Sequence, residues 1–318
     1  MDIHYHFHYE LHFHTKSEDV QESIDSYGGQ TLYEVLDQQI YKMEGIKSAS
    51  TIENYMTALR SLALYTGREM AFADFNAMIL QGYERWLKSR NICLNTVSCY
   101  MRSLRSLLRQ TGLPHVEDCF KPVFTGSTPT RKRSVPVEAI VRLRQAGLPD
   151  GTFIALARDV FLFSFYAMGM PFVDVAHLRR SQICQGNIIY NRQKTGQQVV
   201  IAVEQPLQQL MDKYCSAQSD YVFPQLSTRT PREYQLLLAR YNRALRRLQR
   251  LARINAPLTS YVVRHSWAST AYSSDVALNV ISKALGHTNP QTTLTYIREI
   301  DDSQLALANR KIISTVAE

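Results

Sequence analysis

The segment from Gly126 to Pro136 constrains the fold more than any other feature of this chain. It reads GSTPTRKRSVP and interrupts the regular spacing of apolar residues seen on both sides of it. A stretch rich in Gly, Pro, Ser and Thr that also carries three consecutive cations is typical of a connection between domains. The 318 residues therefore divide into two blocks, each long enough for an ordinary hydrophobic core.

Charge is distributed unevenly between these blocks. Residues 1–46 hold 2 basic and 9 acidic residues, residues 47–130 hold 10 and 6, and residues 131–318 hold 24 and 13. This pattern favours a polyanionic partner, because cations that neutralise phosphates release counterions, although a solvated basic surface is the alternative. We expect a leader over residues 1–30, a helical domain over 31–120, a basic linker over 121–136 and a second domain with a C-terminal tail over 137–318.

Four amphipathic helices are predicted in the first block. The first has apolar residues at Leu32, Val35, Leu36, Ile40 and Met43, and Thr31 with Glu34 forms a capping box at its start. The second begins near Ser50 or Thr51, uses Tyr55, Leu59, Leu62 and Leu64, and ends at Gly67. The third covers Phe75–Lys88 and the fourth covers Asn95–Gln110.

The fourth predicted helix carries a ridge of three arginines. Arg102, Arg105 and Arg109 stand three and then four positions apart, so they share one side of the helix. This ridge is suited to a phosphate backbone or to a groove of duplex DNA. A solvated helix face explains it equally well. The linker cations Arg131, Lys132 and Arg133 would add affinity that does not depend on DNA sequence.

The second block is predicted to be mainly helical with one β-hairpin. Helices are expected over Val137–Ala146 and Thr152–Met168, and the second is apolar enough to be central to the core. Two β-rich segments, Asn187–Arg192 and Gln198–Val203, flank Lys194-Thr195-Gly196 and predict a hairpin with Lys194 near its turn. A basic helix over Arg232–Arg253 has Leu236, Leu237, Leu245, Leu248 and Leu251 available for the core. The fold class is thus mainly α with a small antiparallel β element.

Three short groups near the C-terminus have defined separations. They are Arg264-His265, Leu285-Gly286-His287, and Tyr296, which is nine residues after that last His. Each group alone is weak, because a Gly-His after a helix is usually a C-cap and a single Tyr usually packs. In this order, after a hairpin Lys, they resemble the signature of the tyrosine recombinase (phage integrase) family. Residues 31–112 resemble its helical, SAM-like core-binding domain, and residues 131–318 resemble its mixed α/β catalytic domain.

The resemblance implies a role for each of these residues. Tyr296 would be the nucleophile, Arg264 and His287 would stabilise charge on the phosphate, and Lys194 would protonate the leaving 5′-oxygen. A tyrosine nucleophile retains the energy of the broken phosphodiester in a phosphotyrosyl bond, so the reaction needs no high-energy cofactor. The resemblance also implies that no other cofactor and no metal takes part. His265 and Asp174 would be catalytic or would orient their neighbours.

Two positions depart from the family pattern. The first catalytic Arg of the family aligns with Pro171, and the His three residues before Arg264 is Tyr261, whose hydroxyl can still hydrogen-bond a phosphate oxygen. The resemblance is therefore to a branch that lacks the first Arg. Losing one contact to the transition state costs about 3 kcal/mol, a hundredfold or more in rate. The candidate replacement cations are Arg179, Arg180 and Arg158.

These features together imply a site-specific DNA recombinase of a mobile element that acts in integration or inversion. The expected partner is double-stranded DNA, bound by a homotetramer on two sites, with a monomer or weak oligomer in the free state. The apolar C-terminal tail would dock on a neighbouring protomer or pack on its own domain. A degenerate relative that only binds DNA, a type IB topoisomerase and, from the leader alone, a metal-binding interaction protein are the alternatives.

The leader and the apolar segments bear on location and metal binding. Apolar runs such as Val160–Tyr166 are far shorter than the ~20 residues of a membrane-spanning helix, so we expect a cytoplasmic, nucleoid-associated bacterial protein without a membrane partner. Five histidines alternate with aromatic residues in the leader, at positions 4, 6, 8, 12 and 14. This alternation fits a metal-binding strand, but an edge strand, a tail or a misassigned start explains it without a metal.

Overall fold

The computed structural model describes residues 27–129, 133–287, 291–294, 296, 309 and 310. The chain forms two compact units, Met1–Thr130 and Arg131–Glu318. The described residues are mainly helical, and their three strands form one antiparallel sheet. The predicted fold class is confirmed. The His-rich leader and the apolar C-terminal tail lie almost wholly outside the described residues.

The described part of the first unit has five α-helices, and the predicted start of the first one is correct. The Thr31 hydroxyl accepts a hydrogen bond from the Glu34 amide at 3.2 Å, and the Glu34 carboxylate accepts one from the Thr31 amide at 2.9 Å. The second helix is capped by Ser48, slightly earlier than predicted, and ends at Gly67, which has a φ of +79°. The helices are α1 Leu32–Met43, α2 Ala49–Thr66, α3 Ala77–Ser89, α4 Leu94–Leu108 and α5 Val116–Phe120.

The core of this unit follows the predicted apolar stripes. Val97, Met101, Leu104 and Leu108 of α4 are completely buried. Leu64 of α2 is the exception, because it is 75% exposed on the side away from the core. The prediction that Leu64 belongs to the buried stripe is therefore wrong.

The predicted linker is attached to a core on each side. The Thr128 amide donates to the Asn95 side chain at 2.8 Å, and Val123 belongs to the core of the first unit. In the second unit, Val135 is buried and its amide donates to the Ser266 hydroxyl at 2.9 Å. Arg133 is exposed, whereas Arg131 and Lys132 lie outside the described residues.

The second unit is organised around one central apolar helix, as predicted. This helix, α7 (Phe153–Tyr166), begins after the Thr152 cap and packs against the other long helix, α10 (Pro231–Leu251). Residues Val160, Phe161 and Phe163 of α7 are buried in the main core cluster. The remaining helices described in this unit are α6 Val137–Gln145, α8 Phe172–Ala176, α9 Gln205–Tyr214, α11 Val262–Ser273, α12 Leu278–Ala284 and α13 Gln291–Leu294.

The long helix α10 buries a narrower stripe than its sequence suggests. Leu245 and Leu248 are completely buried, and Leu237 packs against the core from a half-buried position. Leu236 and Leu251 are 64% and 56% exposed, so neither faces the core. The helix has arginines on the opposite side, and Arg243, Arg246, Arg247 and Arg250 are all exposed.

The sheet contains the predicted hairpin. Strand β1 (Ile183–Cys184) pairs with β2 (Asn187–Asn191), and β2 pairs with β3 (Gln198–Ala202) in antiparallel register, with Ile189 opposite Val200. Side chains alternate between the core and solvent, as the two-residue period of a strand requires. The first residue after β2 therefore also points toward the core, before the chain enters the turn.

Neither long helix of the second unit resembles a membrane span. Within the part of the chain that the structure describes, no helix is both long enough and apolar enough to cross a bilayer.

Candidate active site

One cavity in the second unit brings together the residues that the C-terminal motifs single out. Its volume is about 400 Å³, and it opens to solvent. Side chains from α8, the β2–β3 hairpin, α10, α11 and the segment after α12 line it. The ionisable groups on its wall are Asp174, Arg192, Lys194, Tyr234, Tyr261, Arg264, His287 and Tyr296.

Arg264 lies at the base of this cavity on the first turn of α11. Only 2% of the residue is exposed. Its guanidinium donates to the Gly169 carbonyl at 3.1 Å and to the Leu285 carbonyl, and one of its nitrogens lies 3.2 Å from His287 Nε2. Burial lowers the pKa of Arg264, but a guanidinium remains charged at neutral pH. The site therefore holds a buried cation with a fixed orientation.

Gly169 allows this close approach of the backbone to Arg264. Its φ is +70°, a conformation that favours glycine, and a Cβ there would lie 3.1 Å from the Arg264 Cα. A side chain at this position would displace the arginine. The turn before α8 thus requires glycine at position 169.

His287 enters the cavity directly after the Gly286 turn and is neutral. Burial, followed by the charges of Arg264, Arg192 and Lys194, lowers the pKa of His287 to about 4. Because Arg264 can only donate, His287 Nε2 is the acceptor of their hydrogen bond. The proton then resides on Nδ1, which donates to the Thr293 hydroxyl at 2.9 Å. Nε2 is therefore unprotonated, and its lone pair accepts the hydrogen bond from Arg264.

The His287 imidazole is expected to titrate with a midpoint near pH 4. Since this pKa lies below the ordinary 6.5, the unfolded chain binds more protons than the folded one between these values. The contribution of His287 to stability is complete above pH 6.5 and is lost as the pH falls through about 4. An NMR titration of the histidine signals, with His287→Gln to identify the resonance, measures the midpoint. A midpoint at or above 6.5 would contradict the neutral state.

Two tyrosine hydroxyls meet in the cavity. The hydroxyls of Tyr261 and Tyr296 form a short hydrogen bond, and the Arg264 guanidinium carbon lies 5.6 Å from the centre of the Tyr296 ring. Burial, together with that hydrogen bond, raises the pKa of Tyr261. The Tyr296 carbonyl accepts from the Ser269 hydroxyl at 3.2 Å and lies 3.4 Å from His265 Nδ1. His265 thus contacts the backbone of Tyr296, and its ring packs against the Tyr296 ring.

The hairpin contributes two cations to the same cavity. Lys194 is exposed in the turn between β2 and β3, where Gly196 adopts a φ of +68°. Arg192 follows β2 and is 7% exposed, because it continues the inward-facing series of Ile188 and Tyr190. One guanidinium nitrogen of Arg192 donates to the carbonyls of Leu285 and Gly286, both at 2.9 Å. Its Nε is buried and has no hydrogen-bond partner among the described residues.

Asp174 connects α8 to this hairpin. Its carboxylate accepts a hydrogen bond from the Gln193 amide at 3.0 Å, and burial raises the pKa of Asp174. The residue is 4% exposed. Pro171 lines the cavity just before α8 and presents no charge to it. Asp174 lies on the short helix that begins directly after Pro171. Its hydrogen bond to Gln193 therefore holds the backbone of the turn that carries Lys194.

Comparison with known families agrees with this arrangement. Residues 154–302 match the model of the phage integrase family, and residues 31–111 match the model of the phage integrase SAM-like domain. Together the two models cover more than two thirds of the chain. The chain belongs to the phage integrase family. Members of this family are tyrosine recombinases.

Solved integrase structures have the same fold as this integrase-family chain. A lambda integrase dimer bound to a COC′ core site gives a TM-score of 0.68 at 14% identity, covering 92% of this chain and 84% of that chain. A lambda integrase tetramer bound to a Holliday junction gives 0.67 at 13%, covering 89% and 82%. The Tn1549 transposon integrase in complex with transposon right end DNA gives 0.64 at 11%, covering 89% and 100%. No curated protein matches the sequence.

None of the three arginines considered from the sequence as replacements for the missing family Arg lines the cavity. The α8 helix ends at Ala176, before Arg179 and Arg180. Arg179 lies over the Tyr221 ring at 5.4 Å, and Arg180 donates to the Ser216 carbonyl at 3.1 Å. Arg158 is paired with Asp159 at 2.7 Å on a different face of α7. Arg192 is the cation that sequence reasoning missed.

The arginine ridge of the first unit is partly neutralised. Arg109 Nε lies 2.5 Å from a Glu117 oxygen, and an Arg105 nitrogen lies 4.0 Å from the other oxygen. The Arg109 guanidinium holds the pKa of Glu117 below its usual value. Arg102 Nε donates to the Ser98 carbonyl at 3.3 Å and has no acidic partner among the described residues. A phosphate that binds this ridge would compete with Glu117 for two of its three cations.

Proposed function

We propose that this integrase-family protein is a site-specific DNA recombinase that cleaves and rejoins DNA through a 3′-phosphotyrosyl intermediate, in integration or inversion. One observation carries the proposal: the Tyr296 hydroxyl shares a cavity with the buried Arg264, the neutral His287 and the hairpin Lys194. A nucleophile, a fixed cation, a proton acceptor and a proton donor are the groups that phosphodiester exchange requires.

The chemical step follows from the protonation states in the cavity. The Tyr296 oxygen forms a bond to phosphorus while the bond from phosphorus to the 5′-oxygen breaks. The tyrosine proton passes to Nε2 of the neutral His287 when the Arg264 donor that occupies this nitrogen turns to the phosphate, and the Lys194 ammonium donates a proton to the departing oxygen. The reverse step, in which a 5′-hydroxyl attacks the phosphotyrosine, rejoins the strand. No external energy source is needed, because the phosphotyrosyl bond retains the energy of the phosphodiester.

Arg264 supplies the charge that the transition state requires. Negative charge accumulates on the non-bridging oxygens of the phosphate during the exchange, and a guanidinium donates two parallel hydrogen bonds to such oxygens. A preorganised donor of this kind contributes on the order of 10²–10³ in rate. The carbonyls of Gly169 and Leu285 hold Arg264 in place before DNA binds.

The partner in this proposal is double-stranded DNA, bound by a tetramer that joins two sites. The basic charge of both units after residue 46 supports DNA binding. The exposed arginines of α10 are absent from every ion pair found among the described residues, so they remain available to phosphates. The related lambda integrase has been solved as a tetramer on a Holliday junction, which supports the tetramer.

Trapping on nicked DNA tests the proposal. Duplexes that tile the DNA flanking the gene, each with a nick near the cleavage position, lose the short 5′-hydroxyl fragment after cleavage and prevent rejoining. We expect a covalent adduct on the 3′-phosphate strand of a defined duplex, seen on a denaturing gel. Adducts that form on every duplex alike, with relaxation of supercoiled DNA, would indicate a topoisomerase instead.

A DNA-binding relative without chemistry is the second candidate. Pro171 favours it, because this wall of the cavity has no charge at the position where the family has its first Arg. This candidate predicts specific retention of one duplex in a mobility-shift experiment without any covalent adduct. The trapping experiment therefore separates the two candidates.

A further inference from the structure

The cavity has a cation that neither the motifs nor the family pattern assigns. Arg192 follows β2 and reaches the carbonyls of Leu285 and Gly286, the two residues directly before His287. A Cβ at Gly286 would lie 2.6 Å from the Arg192 side chain, so glycine is required for the arginine to lie there. The fold thus places a second guanidinium close to the His287 backbone, on the wall of the cavity that holds Arg264 and Tyr296.

The hydrogen bonds of Arg192 leave part of its guanidinium unused. Both carbonyl contacts use the same terminal nitrogen, while Nε is buried without a partner among the described residues. Arg264 Nε is in the same condition. Buried donors in proteins nearly always have an acceptor, so two guanidinium groups with unused donors on one cavity wall favour a ligand that brings acceptor oxygens.

The charge balance of the cavity leads to the same ligand. Arg192, Arg264 and Lys194 contribute three positive charges, whereas Asp174 is the one carboxylate on the described wall of the cavity. The neighbouring Arg192 lowers the pKa of Arg264, after the larger effect of burial, so the two guanidinium groups repel each other in the empty cavity. A phosphodiester between them would neutralise this repulsion and accept hydrogen bonds from both.

We propose that Arg192 is a catalytic residue that contacts the second non-bridging oxygen of the scissile phosphate, in place of the family Arg that Pro171 replaces. The cation comes from the β2–β3 hairpin rather than from the turn before α8. Arg192 stabilises charge and contributes no atom to the reaction: the Tyr296 oxygen bonds to phosphorus, the 5′-oxygen leaves, and Lys194 protonates it. This inference rests on the proposed recombinase function.

A purely structural role for Arg192 would be to hold the turn before His287, and a change in substrate charge separates the two roles. The trapped duplex is prepared with either a phosphate or a methylphosphonate at the cleavage position. Methylphosphonate replaces one non-bridging oxygen with a methyl group and removes the negative charge. A group that acts on that charge loses its importance on the neutral substrate, whereas a structural support is needed on both substrates.

We expect Arg192→Ala to slow adduct formation by about 10²-fold or more on the phosphate and by less than about tenfold on the methylphosphonate. Arg179→Ala is the matched control, because it removes an arginine of the same unit that lies over Tyr221, outside the cavity. It should react at the wild-type rate on both substrates. If the alanine variant does not fold, Arg192→Gln replaces it: glutamine keeps an N–H donor for the carbonyls but removes the charge, so the same selective loss is expected.

An equal loss on both substrates, or no loss on either, overturns the role of Arg192 and leaves the proposed function in place, provided that the wild type forms the adduct. Absence of an adduct with wild-type protein on every duplex overturns the proposed function, and the role of Arg192 fails with it. DNA affinity, measured by mobility shift for each variant, should stay within a few-fold of wild type if Arg192 acts in the chemical step.

Discussion

Tyr296→Phe is expected to abolish the covalent adduct between this protein and nicked DNA while leaving DNA binding nearly unchanged. Phenylalanine keeps the ring that packs against His265 and His287 but lacks the oxygen that would bond to phosphorus. The loss is therefore complete rather than partial. Adduct formation is measured on a denaturing gel with the trapped duplex, and affinity is measured by mobility shift.

Tyr261→Phe is the matched control, because the two hydroxyls are hydrogen-bonded to each other. It removes a neighbouring phenol of the same size and leaves Tyr296 intact, so the adduct should still form. Burial and the bond to Tyr296 raise the pKa of Tyr261, which makes its phenolate hard to form. An adduct that persists in Tyr296→Phe and disappears in Tyr261→Phe would assign the nucleophile to Tyr261 instead.

Local signals in the sequence predicted the helices well, because short-range interactions determine where helices begin and end. The Thr31–Glu34 capping box and the Gly67 terminus are interactions within a few residues, and both are present. The width of a buried stripe is determined by the partner helix instead. Leu64, Leu236 and Leu251 are apolar residues on α2 and α10 that stay more than half exposed, and the sequence has no information on this.

The candidate site was predictable only in part, for a related reason. Resemblance to a family identifies residues at family positions, and the structure places Arg264, His287, Lys194 and Tyr296 around one cavity. It cannot identify a residue that the family does not use. The two-residue alternation of β2 did contain a signal for Arg192, since an arginine in phase with buried Ile188 and Tyr190 must point inward. The place that Arg192 reaches could not be predicted, because it depends on the packing of the hairpin against Leu285 and Gly286.

Arg264→Lys is expected to lower both the stability of the second unit and the rate of adduct formation. Lysine keeps the charge but cannot donate to the Gly169 and Leu285 carbonyls in the same geometry. Each buried group left without its partner costs about 1–3 kcal/mol, which for a unit of this size lowers the unfolding temperature by roughly 2–4 °C per kcal/mol. Losing the guanidinium contact to the phosphate lowers the rate by about 10²–10³-fold.

The two losses are separated by measuring adduct formation well below the unfolding temperature of the variant, with enough protein to saturate the DNA. Under these conditions destabilisation no longer reduces the amount of folded enzyme, so the remaining loss belongs to the chemical step. Arg142→Lys, an equal substitution on the exposed face of α6, should change neither quantity. A wild-type unfolding temperature and a wild-type rate in Arg264→Lys would contradict this prediction. They would mean that neither the buried hydrogen bonds nor the phosphate contact requires a guanidinium.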